Sequence, residues 1–304
     1  MIGFFVFFIF SFIFVVYSIQ KVFGKSTPSL ISSSDEITLI EINGPIYESD
    51  DILRRIRKFK KSNKKALLLR LDSPGGAVAP SQEIYSEVLS AREAKKIVVA
   101  SMGSVAASGA YYIASACDKI VADPGTITAS IGVIAEFPDA SILLKKVGVN
   151  FQTVKSGQFK DTGSFNRPLS PAEKAYLQET INDVFEQFLG SVVTSRKAAF
   201  QERIAFLEKK KPAQITDPEI RSHVLKYADG RILTGKKAYE LGFVDKLGNY
   251  YDAVQLTADL AGIKGEPSVR LDEPVKFKQF LNELLPFSYF TKTKTSFQLD
   301  YRAF

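Results

Sequence analysis

The sequence is short of the two side chains that most often ligate metals or form cross-links. It contains one cysteine, Cys117, and one histidine, His223, among 304 residues. A single cysteine excludes an intramolecular disulfide scaffold, although it leaves the cellular compartment open. A single histidine argues against a histidine-rich metal site and leaves one candidate for histidine catalysis.

The composition is that of an ordinary globular protein, with 45% hydrophobic and 24% charged residues, which excludes wholesale disorder. The net charge of +7 is local rather than general. One stretch without an acidic residue holds eight basic ones: Arg54, Arg55, Arg57, Lys58, Lys60, Lys61, Lys64 and Lys65. Without them the chain is near neutral, so we expect no nucleic-acid partner. The stretch fits either a solvated helix face or contact with anionic lipid headgroups.

Charge is absent from residues 2–19, which are rich in phenylalanine. At a rise of about 1.5 Å per residue a helix of this length spans about 27 Å, nearly the hydrocarbon core of a bilayer. A cleaved signal peptide would need a basic start and a small-residue cleavage site, and a buried core helix is rarely so unbroken. We therefore predict a transmembrane anchor at residues 1–21 and a linker at 22–36. Lys21 and Lys25, taken alone, would place the body of the protein in the cytoplasm.

The rest of the chain alternates short apolar runs with helical patterns. This order predicts an α/β fold with parallel βαβ units. The predicted strands are residues 38–42, 66–71, 97–100, 119–122, 131–134 and 151–154. The predicted helices are residues 50–61, 80–92 and 109–116, and one long helix from 171 to about 206.

Two loops at predicted strand ends are candidates for chemistry, because ligands collect at the carboxyl edge of parallel sheets. Residues 72–76 end in paired glycines whose N–H groups can approach an anion, although a structural turn explains them as well. In residues 103–112, Ser108 lies where strand becomes helix, flanked by small residues. Helix capping is the commoner role of such a serine, and nucleophilic attack is the alternative.

A serine nucleophile needs a base. His223 lies in a stretch that reads as a surface helix, where a solvated or packing role is the simpler interpretation. A lysine whose pKa is lowered by burial would serve instead. Lys155 and Lys160 lie in a Gly/Ser-containing loop after a predicted strand, and such a loop can turn back into a site.

Several motifs follow one another in order along the chain: DSPGG at 72–76, SVAASGAYY at 104–112, TASIGV at 128–133, KSGQFKD at 155–161, DGRILTG at 229–235 and AYELGFVD at 238–245. Together they resemble the signal peptide peptidase A (SppA) family of membrane-anchored Ser-Lys serine proteases. The resemblance covers residues 37–262, which we expect to form one peptidase domain. It leaves residues 263–304 as a tail of unknown role.

The resemblance implies the site residue by residue. Ser108 matches the nucleophile, Lys160 the general base, and Ser130 the hydroxyl that positions the lysine, whereas Lys155 does not align with the base. The N–H groups of Gly76 and Gly109 match the oxyanion hole. Ala129 departs from the family pattern, in which a glycine often precedes this serine.

The resemblance also implies a ClpP/crotonase-like fold, no metal or organic cofactor, and cleavage of remnant signal peptides and other hydrophobic peptides. It implies a single-pass plasma (inner) membrane protein with an extracytoplasmic catalytic domain, against the two-lysine signal. It implies a homo-oligomer whose active sites are shared between subunits. An inactive membrane-tethered scaffold and a crotonase-like acyl-CoA binder of the same fold are the alternatives.

Overall fold

The computed structural model describes residues 35–272 and 300–302. The predicted anchor and almost all of the predicted linker lie outside these residues. In the described part, no helix is long and apolar enough to cross a membrane.

The described residues form a mixed α/β fold in which most neighbouring strands are parallel. The strands are β1 (Glu36–Asn43), β2 (Ala66–Ser73), β3 (Gly75–Ala77), β4 (Ile97–Ala107), β5 (Lys119–Ala122), β6 (Ile127–Ala129), β7 (Ile232–Thr234), β8 (Lys246–Leu247), β9 (Ser268–Leu271) and β10 (Asp300–Arg302). The helices are α1 (Asp50–Lys61), α2 (Val78–Glu93), α3 (Gly109–Ser115), α4 (Ser141–Lys146), α5 (Pro171–Ser195), α6 (Lys197–Glu208), α7 (Asp217–Leu225), α8 (Gly235–Leu241) and α9 (Tyr250–Ala261), with a 3-10 turn at Pro212–Gln214.

The main sheet runs in the order β7-β6-β4-β2-β1-β9, and β5 and β8 branch from it. The branch arises because β4 is long. Its first half pairs with β5 through Val99 and Lys119, and its second half pairs with β6 through Ala107 and Ala129. A separate two-stranded sheet joins β10 to β3.

Both faces of the central strands are buried, as a parallel sheet requires. Along β2, Leu67 and Leu69 belong to the larger core cluster, and Leu68 belongs to a smaller cluster on the opposite face. The smaller cluster includes Ala253 and Val254 of α9, so this helix covers the second face. Successive residues of β2 point to opposite faces, and both faces are covered. The strand therefore has no polar residue before Arg70.

Two strand predictions are wrong. Residues 131–134 form no strand, because the chain turns at Ser130 and Ile131 accepts a lone backbone hydrogen bond from Gly230 N–H. Residues 151–154 form none either, and their apolar side chains Phe151 and Val154 are exposed rather than packed in a sheet. An apolar run alone does not distinguish a buried strand from an exposed surface.

The predicted long helix is two helices. α5 ends and α6 begins around Arg196, whose backbone leaves the helical conformation. Its side chain is buried and forms an ion pair with Asp245 at 2.8 Å. The break therefore coincides with an arginine that turns inward to meet a buried carboxylate.

Candidate active site

Ser108 lies at the junction between β4 and α3, in a backbone conformation that L-residues rarely adopt. Its φ is 53° and its ψ is −115°. Two hydrogen bonds hold it there: its N–H donates to Ala129 O at 2.7 Å, and its carbonyl accepts from Tyr112 N–H at 2.8 Å. A sharp strand-to-helix turn of this kind is the arrangement in which hydrolases present a nucleophilic serine. Such strain persists only where the surrounding structure enforces it.

The strain is concentrated at this point. Among the described residues, five non-glycine residues have positive φ, and Ser108, Ala129 and Ser130 are three of them. Ala129 pairs with Ala107, the residue before the serine, so the three strained residues face each other across β4 and β6. Clusters of this kind typically mark functional sites. The φ of 62° at Ala129 also explains why a glycine would fit that position.

Ser130 is held by hydrogen bonds to the loop that precedes β7. Its N–H donates to Arg231 O at 3.0 Å, and its hydroxyl donates to Gly230 O at 3.1 Å. Asp229 accepts hydrogen bonds from Arg231 and so closes the same loop. Ser130 is 3% exposed, which leaves its hydroxyl little freedom to rotate away. The side chain is thus oriented by a loop far away in the sequence.

The hydroxyl of Ser108 is buried and makes no hydrogen bond with any residue that the structure describes. Leaving a buried hydroxyl unpaired costs about 1–3 kcal/mol, and native structures seldom leave such a group without a reason. A strained, buried and unpaired serine is difficult to explain as a helix cap. Its own helix-capping hydrogen bond is also absent.

The loop at 72–76 lies against this junction. Asp72 accepts a hydrogen bond from Val105 N–H at 3.1 Å and thereby ties the loop to β4. A Cβ atom on Gly103 would lie 2.7 Å from the Asp72 carboxyl carbon, so the glycine lets the two loops approach. The motifs assign Asp72 no role of its own. Its position just before the paired glycines was the only sequence feature that pointed to this contact with the small-residue stretch.

Gly76 and Gly109 are both buried beside Ser108. Gly109 follows the serine as the first residue of α3, and β3, which holds Gly76, packs against the same helix. A Cβ atom on Gly76 would lie 2.2 Å from Ile46 O, so no other residue fits that position without a backbone shift. The structure therefore brings together Ser108, Ser130, Gly76 and Gly109.

Lys160 is not joined to them in the single chain. It is exposed, and its amine makes no hydrogen bond or ion pair with the described residues. The loop around it is held by ion pairs: Asp161 bonds Lys155 and Arg167, and Arg167 also bonds Glu173 on α5. Hydrogen bonds from Arg167 lower the pKa values of both carboxyl groups, so the frame stays charged at neutral pH.

A cavity of about 350 Å³ adjoins Ser130. Its walls are mostly apolar, with Ser130, Asn182 and Asp229 as polar exceptions. The remaining lining residues are Gly132, Val133, Ile134, Ile181, Phe185, Ala228 and Gly230. A mostly apolar cavity of this kind, here beside Ser130, is suited to a hydrophobic side chain of a ligand.

His223 lies away from these residues and packs against aromatic side chains. Its Nε2 is 2.8 Å from Leu241 O, and its ring contacts Phe200 and Phe243. Burial lowers its pKa below the usual range. The interpretation of this histidine as a packing residue agrees with these contacts. Among residues 35–272 and 300–302 no group of acidic, histidine or cysteine side chains could hold a metal ion.

Comparison with known proteins identifies the family. Residues 90–206 match the model of Peptidase family S49. Over 247 residues the chain is 41% identical to the putative protease slr0021 of Synechocystis sp., a match that covers 81% of each chain. The chain belongs to peptidase family S49.

Two further relatives of this S49 peptidase carry names that agree with the resemblance drawn from its motifs. It is 30% identical over 236 residues to the putative signal peptide peptidase SppA of Enterococcus faecium, which covers 77% of this chain and 62% of that protein. It is 30% identical to Protease 4 of Haemophilus influenzae, of which it spans 36%. Membership of the SppA family is thereby confirmed, and the chain is a serine peptidase.

Proposed function

We propose that this S49 peptidase is a membrane-anchored endopeptidase that hydrolyses remnant signal peptides and other hydrophobic peptides with a Ser108–Lys160 dyad. The observation that carries the proposal is Ser108 itself, whose backbone is strained and whose buried hydroxyl is unpaired among the described residues. The apolar cavity beside Ser130 supports hydrophobic substrates. The proposal includes a fold of the ClpP/crotonase type. The anchor is residues 1–21, with the catalytic domain on the extracytoplasmic side of the plasma membrane.

In the proposed mechanism, neutral Lys160 takes the proton from Ser108 as the serine attacks a peptide carbonyl. A free lysine has a pKa of about 10.4, so a base that works at neutral pH must sit where its charge is disfavoured. Ser130 holds the neutral amine through its hydroxyl. The N–H groups of Gly76 and Gly109 stabilise the oxyanion, each by roughly 3–4 kcal/mol.

The exposed position of Lys160 supports an active site that is shared between subunits. Lys160 lies on the arm between β6 and α5, residues 130–170. This arm carries apolar side chains that a soluble surface rarely displays: Ile142, Leu143 and Val147 are more than 60% exposed, and Val154 is 99% exposed. Contiguous exposed apolar surface marks a protein or membrane contact. We infer that this arm docks on a second copy of the chain and delivers Lys160 to the Ser108 of that neighbour.

Active-site labelling tests the proposal. A fluorophosphonate probe should label the detergent-solubilised full chain and should not label Ser108→Ala. Lys160→Ala should lose at least about a hundredfold in labelling rate, since general-base catalysis contributes that much. His223→Ala serves as the control and should label like the wild-type chain. Equal labelling of wild type and Ser108→Ala would contradict the assignment of the nucleophile.

A further inference from the structure

Strand β4 contains a bulge between its two halves. Against β2, Leu71 lies opposite Met102, and Ser73 lies opposite Ala106. Between these two pairs β2 has one residue, whereas β4 has three, residues 103–105, which form the β4 bulge. Extra residues in one strand interrupt the hydrogen-bond ladder, bend that strand and increase its twist.

The β4 bulge coincides with a change of partner on the other edge of β4. Residues 99–101 pair with β5, and residues 105–107 pair with β6. Because a bent strand leaves the direction of its first half, its second half reaches a different neighbour. That neighbour is the strand that holds Ser108, whose N–H donates to Ala129 O at the end of β6. The direction that β4 takes after the bulge therefore decides where Ser108 lies.

Asp72, the single residue opposite the β4 bulge, holds it from the β2 side. Its Oδ1 accepts the hydrogen bond from Val105 N–H at 3.1 Å. A backbone N–H that a bulge removes from the strand ladder needs another acceptor, and the carboxylate supplies it. Gly103 has no side chain to keep this carboxylate away from the bulge. The acid and the bulge are thus fitted to each other.

Thr126 holds the β4 bulge from the opposite side. It lies directly before β6 and is 2% exposed, and its hydroxyl donates to Gly103 O at 2.8 Å. The threonine is itself fixed, because its N–H donates to Asp123 O and its carbonyl accepts from Gly235 N–H. A backbone group at each end of the bulge, Gly103 O and Val105 N–H, is therefore bound by a side chain from a neighbouring segment.

We propose that Asp72 and Thr126 are positioning residues for the nucleophile, which hold the β4 bulge in the geometry that carries Ser108 to the end of β6. The proposal rests on the proposed function, because the place of Ser108 affects the rate only if Ser108 attacks the substrate. Neither side chain bonds the Ser108 hydroxyl, so both act through the backbone of β4. A misplaced nucleophile slows the chemical step and leaves binding of the peptide in the ground state unchanged.

The kinetics of paired variants test the role of Asp72. Asp72→Ala removes the acceptor of Val105 N–H, whereas Asp72→Asn keeps an oxygen there. The matched control is Asp118→Ala, because Asp118 accepts a hydrogen bond from Val98 N–H at 2.8 Å, a bond of the same kind in the first half of β4.

The detergent-solubilised full chain carrying Asp72→Ala should lose about a hundredfold in kcat for a fluorogenic peptide and in fluorophosphonate labelling rate, with KM within about twofold of wild type. Asp72→Asn should return both rates to within about fivefold of wild type, since a neutral acceptor forms a weaker bond. Asp118→Ala should keep kcat within about twofold. Equal losses of kcat in Asp72→Ala and Asp118→Ala, or a change in KM alone, would overturn the proposal.

Thr126 gives an independent test, which also serves if Asp72→Ala does not fold. Thr126→Val keeps the shape of the side chain but loses the hydroxyl, and kcat should fall about tenfold at unchanged KM. Thr126→Ser should restore it. An unchanged kcat in Thr126→Val would overturn the proposal. Failure of the proposed function is a separate result, because the fluorophosphonate probe would then fail to label Ser108 in the wild-type chain.

Discussion

At the scale of single residues, the site depends on positions where the backbone leaves no room. Gly76 is the sharpest case, because any Cβ there would press against Ile46 O at 2.2 Å. The glycine is therefore required by the approach of two chain segments. In the proposed mechanism its N–H faces the oxyanion, and the close contact with Ile46 fixes the strand that carries this N–H.

Gly76→Ala should therefore damage both fold and chemistry. Overpacking of a buried site costs about 1–3 kcal/mol, and loss of one oxyanion donor costs about a hundredfold or more in rate. We expect the fluorophosphonate labelling rate to fall at least that far, with a lower urea midpoint. The matched control is Gly125→Ala, since a Cβ there would meet nothing within 4 Å. A Gly76→Ala chain as active as this control would contradict the placement of the oxyanion hole.

His223 gives a prediction on pH. Burial depresses its pKa in the folded chain below the ordinary 6.5. The unfolded chain then binds more protons in the window below 6.5, so the free energy of unfolding falls as the pH drops through that window. Urea unfolding at pH 7.5 and 5.0 measures the fall. We expect it to be smaller in His223→Gln, which can still donate to Leu241 O but does not titrate; an equal fall would assign the effect to other groups.

The residues of the site differ in how far sequence could reveal them. Ser108, Ser130 and the glycines were named from motifs, and the structure places them together. The strain at Ala129 was invisible, because a positive φ at a non-glycine residue leaves no mark in the sequence. The tie from Asp72 to Val105 was missed since it joins two loops that only the sheet brings near.

At the scale of elements, the arm between β6 and α5 is where sequence patterns misled. Its apolar residues suggested a strand at 151–154, yet Val154 is 99% exposed. An apolar run indicates that its side chains are buried, but it does not show whether they are buried in the same chain or against another molecule. The same arm carries Lys160, so a segment in which the sequence patterns gave wrong strands is the segment that the proposed mechanism needs from a neighbour.

The ion-pair frame of that arm leads to a test. Arg167 joins Asp161, the residue after Lys160, to Glu173 at the start of α5. Arg167→Gln should leave the loop free to move and lower kcat by about tenfold, because a misplaced base loses much of its effect. Peptide hydrolysis by the assembled enzyme measures it.

A matched control is available at a second glutamate of α5. Arg221 of α7 pairs with Glu186 of α5 in an exposed position. Arg221→Gln should leave kcat within about twofold of wild type, since exposed ion pairs contribute little. If both variants lost kcat equally, the frame around Lys160 would have no special role.

Helix α1 shows a different use of charge. Most of its basic residues have acidic partners: Arg57 and Lys60 pair with Glu87, and Lys58 pairs with Asp272. Just beyond the helix, Lys64 pairs with Glu36. The stretch that looked like a local excess of positive charge is thus largely balanced by residues distant in the sequence. These pairs favour the solvated-face interpretation over a lipid-binding one.

At the scale of the whole molecule, the exposed arm and the unpaired serine have one explanation in common. If each Lys160 serves the Ser108 of a neighbour, neither single variant has a complete site, but a mixed assembly does. An equal mixture of Ser108→Ala and Lys160→Ala chains, dissociated and reassembled, should recover about a quarter of wild-type peptide hydrolysis, the fraction of subunit interfaces that join an intact Ser108 to an intact Lys160. No recovery in verified mixed assemblies would show that each chain carries its own site.

The fastening of Ser130 also sets an order of events during biosynthesis. The carbonyls that hold this serine belong to Gly230 and Arg231, which leave the ribosome about a hundred residues later. Until that loop has emerged and packed, nothing fixes the hydroxyl beside the nucleophile. Under the proposed mechanism, a nascent chain therefore holds Ser108 long before its site is complete, and we expect peptide hydrolysis to begin only once residues 230–231 have packed against Ser130.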